Sequence, residues 1–469
     1  VWRLGLYSDT TGWPTCGTYH EGRLWLAGAQ GNRIDASMSN KPQIFSPTDL
    51  TTGAVADSNG LSYIFNSSDV NAIFWLETDQ QGVLCGTQAG EWCVQASGSN
   101  AFLTPTNMQA RRVTKIGCAN IAPCRTDHTL AFVQKFGRKV LEYFSDINNG
   151  RFASTEITDK FRHLTDGNIR EVAYQPELAP IVWMRRADGV LVGCTYRREV
   201  MSTAQPPMFA AGHRHTLGSG RTIESICVGP STGGNLSSLF MVTNDVATSI
   251  RHIEILTDVM DETAAITSAW YLDNAVVPSS YTTTFTQCTF NGLWHLNGKT
   301  VTVFAGGLDC GDVTVSNGQA VVTFGDGVGA GAGSGLFTQD FVTSFGGTMP
   351  CVIGFTYTTQ GQMLRPAVQA ESGTNFGPGF AKIRRAHDYG IMLVNSKGVS
   401  VGTSFDNLNA AQIRSPGGND LSPLTLYTGT HWDTLNDDYS LDSMLCWQVT
   451  RPYPCNVAVL GGFLATQDR

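Results

Sequence analysis

Apolar positions in the first 260 residues fall in short runs broken by turn residues, not at helical spacing. Five stretches repeat one theme, an apolar strand, a turn carrying Gly or Asp, then a second apolar strand. They are Tyr19-His-Glu-Gly22-Arg-Leu-Trp-Leu-Ala27, Ile73 to Thr87 around Gly82, Leu130 to Tyr143 around Gly137, Ile181 to Cys194 around Gly189, and Leu239 to Ile250 around Asp245. Their turn residues lie 60, 55, 52 and 56 positions apart. That period matches one four-stranded propeller blade with generous loops, a unit that cannot bury its own faces and must stack on others. The pattern predicts an all-β chain that begins with a β-propeller of five or six blades over residues 1–262. An irregular β-sandwich with coincidental spacing is the competing arrangement.

After Asp261-Glu262 the pattern changes. Val301, Val303 and Ala305 alternate with Thr302 and Phe304, the period of a strand with one buried face. Val313 and Val315, then Ala320 and Val322, flank Ser316-Asn317-Gly318, which predicts a hairpin because Asn and Gly tolerate positive φ. Residues 263–350 are thus expected to form a small β-barrel or sandwich module. Residues 351–469 are expected to form a further β-rich domain. In it the apolar run Gly390–Asn395 leads into the turn Ser396-Lys397-Gly398, and prolines 452 and 454 lead into a closing strand. The glycines of Gly325–Gly335 do not fit G-x-G-x-x-G and no Lys-Ser/Thr follows, so this stretch predicts a flexible loop and not a phosphate cradle.

Composition agrees with that picture. The 469 residues include 51 Gly, and only 15% are charged, which suits many turns and few amphipathic helices. No run of 18 apolar residues is present, so no membrane span is predicted. The start, Val1-Trp-Arg-Leu-Gly, lacks Met and the layout of a signal peptide and looks like the middle of a strand. It is read as the start of a processed chain or of the ordered part of a longer one. The net charge of −8 is mild and argues against a dedicated nucleic-acid binder, which carries a basic face. Residues 262–469 hold 15 acids and 9 bases against 24 and 22 in residues 1–261, so the back half has the more acidic balance. Such a surface is soluble and, if it lined a channel, would repel phosphate. The 12 cysteines are scattered with no Cys-x-x-Cys pair, so zinc ribbons and redox motifs are unsupported and buried free thiols are expected.

Candidate chemistry is sparse. His213-Arg-His215 has the spacing of two metal ligands on one strand face, but it is read as part of a Gly/Arg-rich loop with no third ligand nearby in sequence. Asp127-His128 and His387-Asp388 are simple neighbours, and no G-x-S-x-G elbow occurs. The Asp-box of sialidases is absent, and its nearest echo, Gly90-Glu91-Trp92, lacks the Asp. The reading is therefore no catalytic residue, no cofactor site and no metal site. Arg111-Arg112 with Lys115, Arg185-Arg186, Arg197-Arg198 and Lys382-Ile383-Arg384-Arg385 could each contact phosphate, but are expected to pair with acids on a neighbouring chain or to solvate turns. Trp25, Trp75, Trp92 and Trp183 lie at strand positions expected to be buried.

Several phrases, taken in order, resemble one family. Gly292-Leu-Trp-His295-Leu-Asn-Gly298-Lys-Thr-Val301-Thr-Val-Phe304-Ala-Gly-Gly307 with Val313-Thr-Val-Ser-Asn317-Gly318 is similar to the FCCH-like module of phage tail proteins. Gly12-Trp-Pro through Arg23-Leu24, Ser37-Met-Ser-Asn-Lys41-Pro-Gln-Ile-Phe45, Gly86-Thr-Gln-Ala-Gly-Glu91-Trp92 and Leu103-Thr-Pro105-Thr-Asn107 resemble the opening phrases of the same proteins. Tyr271-Leu-Asp273, Tyr427-Thr-Gly429 and Arg451-Pro-Tyr-Pro454 resemble their later phrases. The family is the tail nozzle, or tail tubular protein B, class of short-tailed bacteriophages. The resemblance implies a virion structural protein assembled in the bacterial cytoplasm as a homo-oligomeric ring, typically a hexamer, below the portal and adaptor. Such a ring continues the DNA channel, lets double-stranded DNA pass with weak non-specific contact, retains and releases the genome, and anchors tail fibres or spikes. Rival expectations are a tail-fibre propeller that binds host surface glycan and a polysaccharide depolymerase. The chain departs from the family in its 325–335 loop and in the segment expected before Val1.

Overall fold

The computed structural model describes residues 5–467 apart from 50, 67–68, 70–71, 80, 99–100, 128, 147–150, 199–207, 219, 232–233, 235, 258–259, 262, 326–333, 366–382, 414–423, 436–437 and 442. Val1 to Leu4, His128, Glu262, Lys382 and most of the Gly-rich loop at 325–335 lie outside the described residues. The chain divides into two compact units, Val1–Leu256 and Thr257–Arg469.

The first unit is five antiparallel sheets that follow one another in chain order. The first holds β1 (Cys16–His20), β2 (Arg23–Ala27), β3 (Arg33–Ala36) and β4 (Leu61–Ile64). The second holds β5 (Ile73–Asp79), β6 (Gly82–Thr87), β7 (Gly90–Ala96) and β8 (Met108–Arg112). The third holds β9 (Cys124–Arg125), β10 (Leu130–Val133), β11 (Val140–Asp146) and β12 (Arg151–Glu156). The fourth holds β13 (Ile169–Gln175), β14 (Ile181–Arg186), β15 (Leu191–Arg198) and β16 (Met208–His215). The fifth has three strands, β17 (Arg221–Pro230), β18 (Ser237–Asp245) and β19 (Ile250–Ile255). Every sheet is a meander whose spatial order is its sequence order.

All five expected hairpins form, one in each sheet. They are the first pair of strands in sheets one and two, the middle pair in sheets three and four and the last pair in the three-stranded fifth sheet, so the recurrence marks the sheets without marking a fixed place within them. At the first hairpin the chain reverses through Glu21 and Gly22, both with positive φ (48° and 70°), the geometry that favours two-residue turns in twisted ribbons.

Consecutive sheets share cores, and strict alternation decides which side chain goes where. On β10, Leu130 and Phe132 join Trp75, Leu84 and Cys93 of the second sheet. Their neighbours Ala131 and Val133 join Val182, Met184 and Cys194 of the fourth. Trp183 and Leu191 of the fourth sheet meet Ile223, Leu239 and Met241 of the fifth, while Trp25 and Ile34 of the first meet Val83, Cys85 and Val94 of the second. Sheets two to four have a core on each face, which explains why inner strands such as β6 and β10 read as unbroken apolar runs. The leading strands also lie side by side, β1 with β5, β9 with β13 and β13 with β17.

In the second unit, β20 (Asp273–Val276), β21 (Ser280–Thr283), β22 (Gln287–Asn291), β23 (Thr300–Ala305), β24 (Leu308–Thr314), β25 (Gln319–Thr323) and β26 (Cys351–Phe355) make two open sheets, β20-β26-β23-β24 and β21-β22-β25. A short helix, α1 (Gln339–Ser344), is N-capped by the Thr338 side chain, which accepts from the Phe341 N–H. Phe290, Val303, Val322 and Ile353 share one core between the sheets. Among the described residues no sheet closes on itself, so the barrel option gives way to an open sandwich, and its sheet runs on to Phe355 because β26 pairs with β23.

Two local expectations are corrected. β23 is buried on both faces, since Thr302 and Phe304 are as covered as Val301 and Val303. Phe304 packs with Leu272, Val352 and Tyr453 in a separate cluster. The Asn317-Gly318 turn forms with positive φ at both residues (51° and 69°), yet its flanking strands do not pair as a ladder. β24 pairs with β23, and β25 pairs with β22. The turn is thus a corner that carries the chain from one sheet to the other.

The remaining strands are β27 (Thr359–Gln362), β28 (Ile383–Ser396), β29 (Ser400–Ser404), β30 (Asn407–Ala410), β31 (Tyr427–Thr434), β32 (Cys446–Val449) and β33 (Asn456–Gln467). They form the sheets β27-β32-β29-β30 and β31-β28-β33 around Tyr389, Ile391, Leu393, Val401 and Val449. Among the described residues no helix is long and apolar enough to cross a membrane.

Candidate functional site

Arg23, Glu91, Asn107 and Arg451, which lie in the phrases resembling phage tail proteins, sit where the fold is stapled. Arg23, buried on β2, donates to the carbonyls of Ser37 (2.8 Å), Asn59 (2.6 Å) and Asp57 (2.5 Å) and so ties down the loop between β3 and β4. Glu91 on β7 is buried, and burial pushes its carboxyl up while a hydrogen bond donated by Thr114 opposes that shift. Asn107 closes its turn by accepting from the Thr104 N–H (2.8 Å) and donating to the Phe102 carbonyl (2.9 Å).

Arg451 forks onto Asp309 through Nε and Nη2, each 2.5 Å away, and reaches Asp312 at 3.2 Å. The hydrogen bond to Asp309 raises the Arg451 pKa. Next to this fork Tyr453 meets Phe304 edge-on at 6.0 Å, and the Lys397 ammonium lies 5.0 Å from the centre of the Tyr453 ring. Burial lowers Lys397 to about 8, with the Asp309 charge opposing. The fork joins β24 to the segment just before β33.

A second buried ion pair links sheets three and four. Glu142 of β11, fully buried, takes an ion pair from Arg198 of β15 and accepts a 2.5 Å hydrogen bond from the Tyr196 hydroxyl. The Tyr196 hydroxyl also meets Thr129 Oγ1 at 3.0 Å. Arg198 lies 4.8 Å from the centre of the Phe144 ring.

Four residues of the basic clusters are ion-paired to acids of this chain. Arg112 pairs with Asp69, Arg185 with Glu171, Arg186 with Asp188 and Arg198 with Glu142. Arg384 is buried, whereas Arg111, Lys115 and Arg197 are exposed. Trp25, Trp75, Trp92 and Trp183 are buried as expected. All 12 cysteines are free, and burial raises the thiol pKa of most, Cys85 and Cys351 strongly. His387 and Asp388 are a half-buried pair 3.4 Å apart. His213 and His215 lie on strand β16 and not in a loop, and their ring nitrogens are 3.3 Å apart.

One concavity of about 170 Å³ is lined by Thr155, Glu156, Ile157, Asp159, Lys160 and Ala210. Small-molecule sites usually start near ~300 Å³. Glu156 there is already held by Arg162 (2.6 Å) and Lys139 (3.2 Å). Among the described residues no group of three His, Cys, Asp or Glu gathers as metal ligands.

Two sheet faces are apolar yet open. On the fifth sheet, Phe240 and Val242 lie on the face away from Leu239 and Met241, paired across to Ile255 and Ile253, and Ile253 is 80% exposed. On β31-β28-β33 the open face carries Trp432, Phe463, Met392 and Val459. The Trp432 indole lies over Gly390, where a Cβ would come within 2.6 Å of the ring. Phe463 lies 6.1 Å away at 38°, and Trp432 is 62% exposed. Thr430, Thr434 and Asp388 stand on the same face. Sequence reasoning missed this face, although the alternation Thr428-Gly-Thr430-His-Trp432-Asp-Thr434 would have flagged it. The fork of Arg451 on Asp309 had no signal, because 142 residues separate the partners.

No known family profile matches the chain, and no curated protein matches it. Solved structures do match. One is a luciferin-regenerating enzyme, 8% identical, with the alignment covering 52% of this chain and 91% of that one at a TM-score of 0.22. A likeness at that level carries no argument about activity.

Proposed function

We propose that this chain is a non-enzymatic structural subunit of a short-tailed phage tail, a nozzle component that assembles as a ring and continues the DNA channel. In this reading the first unit is a five-bladed, propeller-like body. The observation that carries it is the succession of five meanders, each sharing a core with the next, with leading strands side by side in three of the four neighbouring pairs. Packed sheets are stiff because interiors are as dense as molecular crystals, which suits a body beside confined DNA. The family phrases add support, since Arg23, Glu91, Asn107 and Arg451 act as staples and not as reactive groups. Ion-paired arginines favour weak, sliding contact with DNA over tight binding, which needs free Lys and Arg at phosphates. The two open apolar faces fit an assembling protein, because monomers rarely leave large apolar patches in water.

Partners in this reading are further copies of the chain, the portal and adaptor proteins, and fibres or spikes. The location is the virion, after assembly in the host cytoplasm. Light scattering on the purified protein, with and without the portal-side partner, tests the assignment. A ring-sized mass, six copies in the expected case, supports it, and a stable monomer under both conditions defeats it. A second reading, glycan binding, is favoured by the Trp432 and Phe463 platform with its flanking hydroxyls. Host surface polysaccharide that perturbs tryptophan emission in the wild type but not in Trp432→Ala would support that reading instead.

A further inference from the structure

We propose that His213 and His215 form a two-imidazole site for a divalent transition ion of the zinc or copper type. The Nδ1 atom of His213 and the Nε2 atom of His215 are 3.3 Å apart. Two metal–nitrogen bonds of about 2.0–2.1 Å across that gap would meet at roughly 104–111°, the tetrahedral range that zinc prefers. The strand makes this possible, because residues two apart on β16 face the same side of the sheet. The rings stand edge to face at 89° with centroids 5.0 Å apart.

Neighbouring groups fix the rings. Gly193 pairs with both His213 and Trp183. A Cβ at Gly193 would come within 2.0 Å of His213 Cε1, so the imidazole occupies the space a side chain would take. Trp183 packs against both histidines at 5.6 and 5.7 Å and is itself held by its indole N–H donating to Gln175 (2.9 Å). Both histidines are half-buried, so solvent can supply the remaining ligands. On the same face Arg185 stands one strand beyond Leu191, and Glu171 neutralises it at 3.4 Å.

In the free pair one ring nitrogen donates to the other. On binding, the donating ring moves its proton to its other nitrogen, both facing nitrogens offer lone pairs, and no proton is released. Imidazole suits zinc and copper, with copper the tighter.

The test uses the full chain, stripped with a chelator and titrated with Zn²⁺ by calorimetry and with Cu²⁺ by tryptophan emission and electron paramagnetic resonance. Expected are one bound ion and at least a tenfold loss of affinity in either His213→Asn or His215→Gln. His163→Gln, at an exposed histidine, should leave binding unchanged. Trp183→Phe should bind Cu²⁺ but show less quenching, which separates lost binding from lost packing if a histidine variant is unstable. Equal uptake by wild type and both histidine variants, no uptake by the wild type, or a copper signal lacking two nitrogen ligands would overturn the site.

Discussion

The middle sheets of the first unit and the sheet β31-β28-β33 of the second solve the same packing problem in opposite ways. In β10 all four residues from Leu130 to Val133 are buried, because a sheet lies against each face. In β31 burial alternates strictly, because only one face has a neighbour. The open face of the second sheet is nevertheless not polar, since Trp432, Phe463, Met392 and Val459 occupy it. A side chain fixed by two cores is constrained by stability, whereas an apolar side chain on an open face contributes little to folding. Such a side chain is more informative about what the protein meets.

The sharpest way to break that comparison is truncation on each side of it. Phe132→Ala should cost about 3–5 kcal/mol, the range for emptying a large aromatic site in a core, whereas Met392→Ala should stay within roughly 0.5 kcal/mol, as surface changes do. Denaturant unfolding of the two variants checks this, and equal losses would mean that the second face is covered after all. Next in size is Arg198→Met, which leaves the Glu142 carboxylate buried without its cation. It should cost on the order of 3–5 kcal/mol, and Arg198→Met with Glu142→Leu should recover much of that loss.

A pH series sharpens the account of the first unit. His215 has its folded pKa depressed to about 4 by burial, below the ordinary imidazole value. The unfolded chain therefore binds the proton more readily, and stability is full above about 6.5 and falls as pH drops towards 4. Melting temperature between pH 7.5 and 4.5, with chelator present, should fall more steeply in the wild type than in His215→Gln. Identical slopes would remove the histidine from the explanation. A more modest loss is expected of Gly318→Ala, at the sheet-to-sheet corner with φ of 69° and with Trp294 packed over it. It should cost about 1 kcal/mol or slightly more without altering the assembly state.

Much of the first unit was legible because its turns are punctuated. Gly22, Gly82, Gly137, Gly189 and Asp245 each sit at or beside a hairpin reversal. The sheet to which a strand belongs was less legible. Asn317-Gly318 announces a reversal, but only the long-range pairings of β24 with β23 and β25 with β22 decide that the reversal changes sheets. Both faces of β23 are covered for a similar reason, since Tyr453, remote in sequence, packs on Phe304. Histidines 213 and 215 were expected in a loop because of the glycines around them, whereas pairing with β15 draws them into a strand. Local pattern specifies turns and alternation, and partners distant in the chain specify which faces are buried.

The proposal of a propeller-like nozzle ring is tested most directly by cryo-electron microscopy of the assembled particle at a resolution that separates strands. The account predicts a closed ring on the portal axis, with five radial sheets in each first unit and their leading strands innermost. A peripheral monomer or trimer away from that axis, or a first unit whose sheets do not radiate from a common centre, would contradict it.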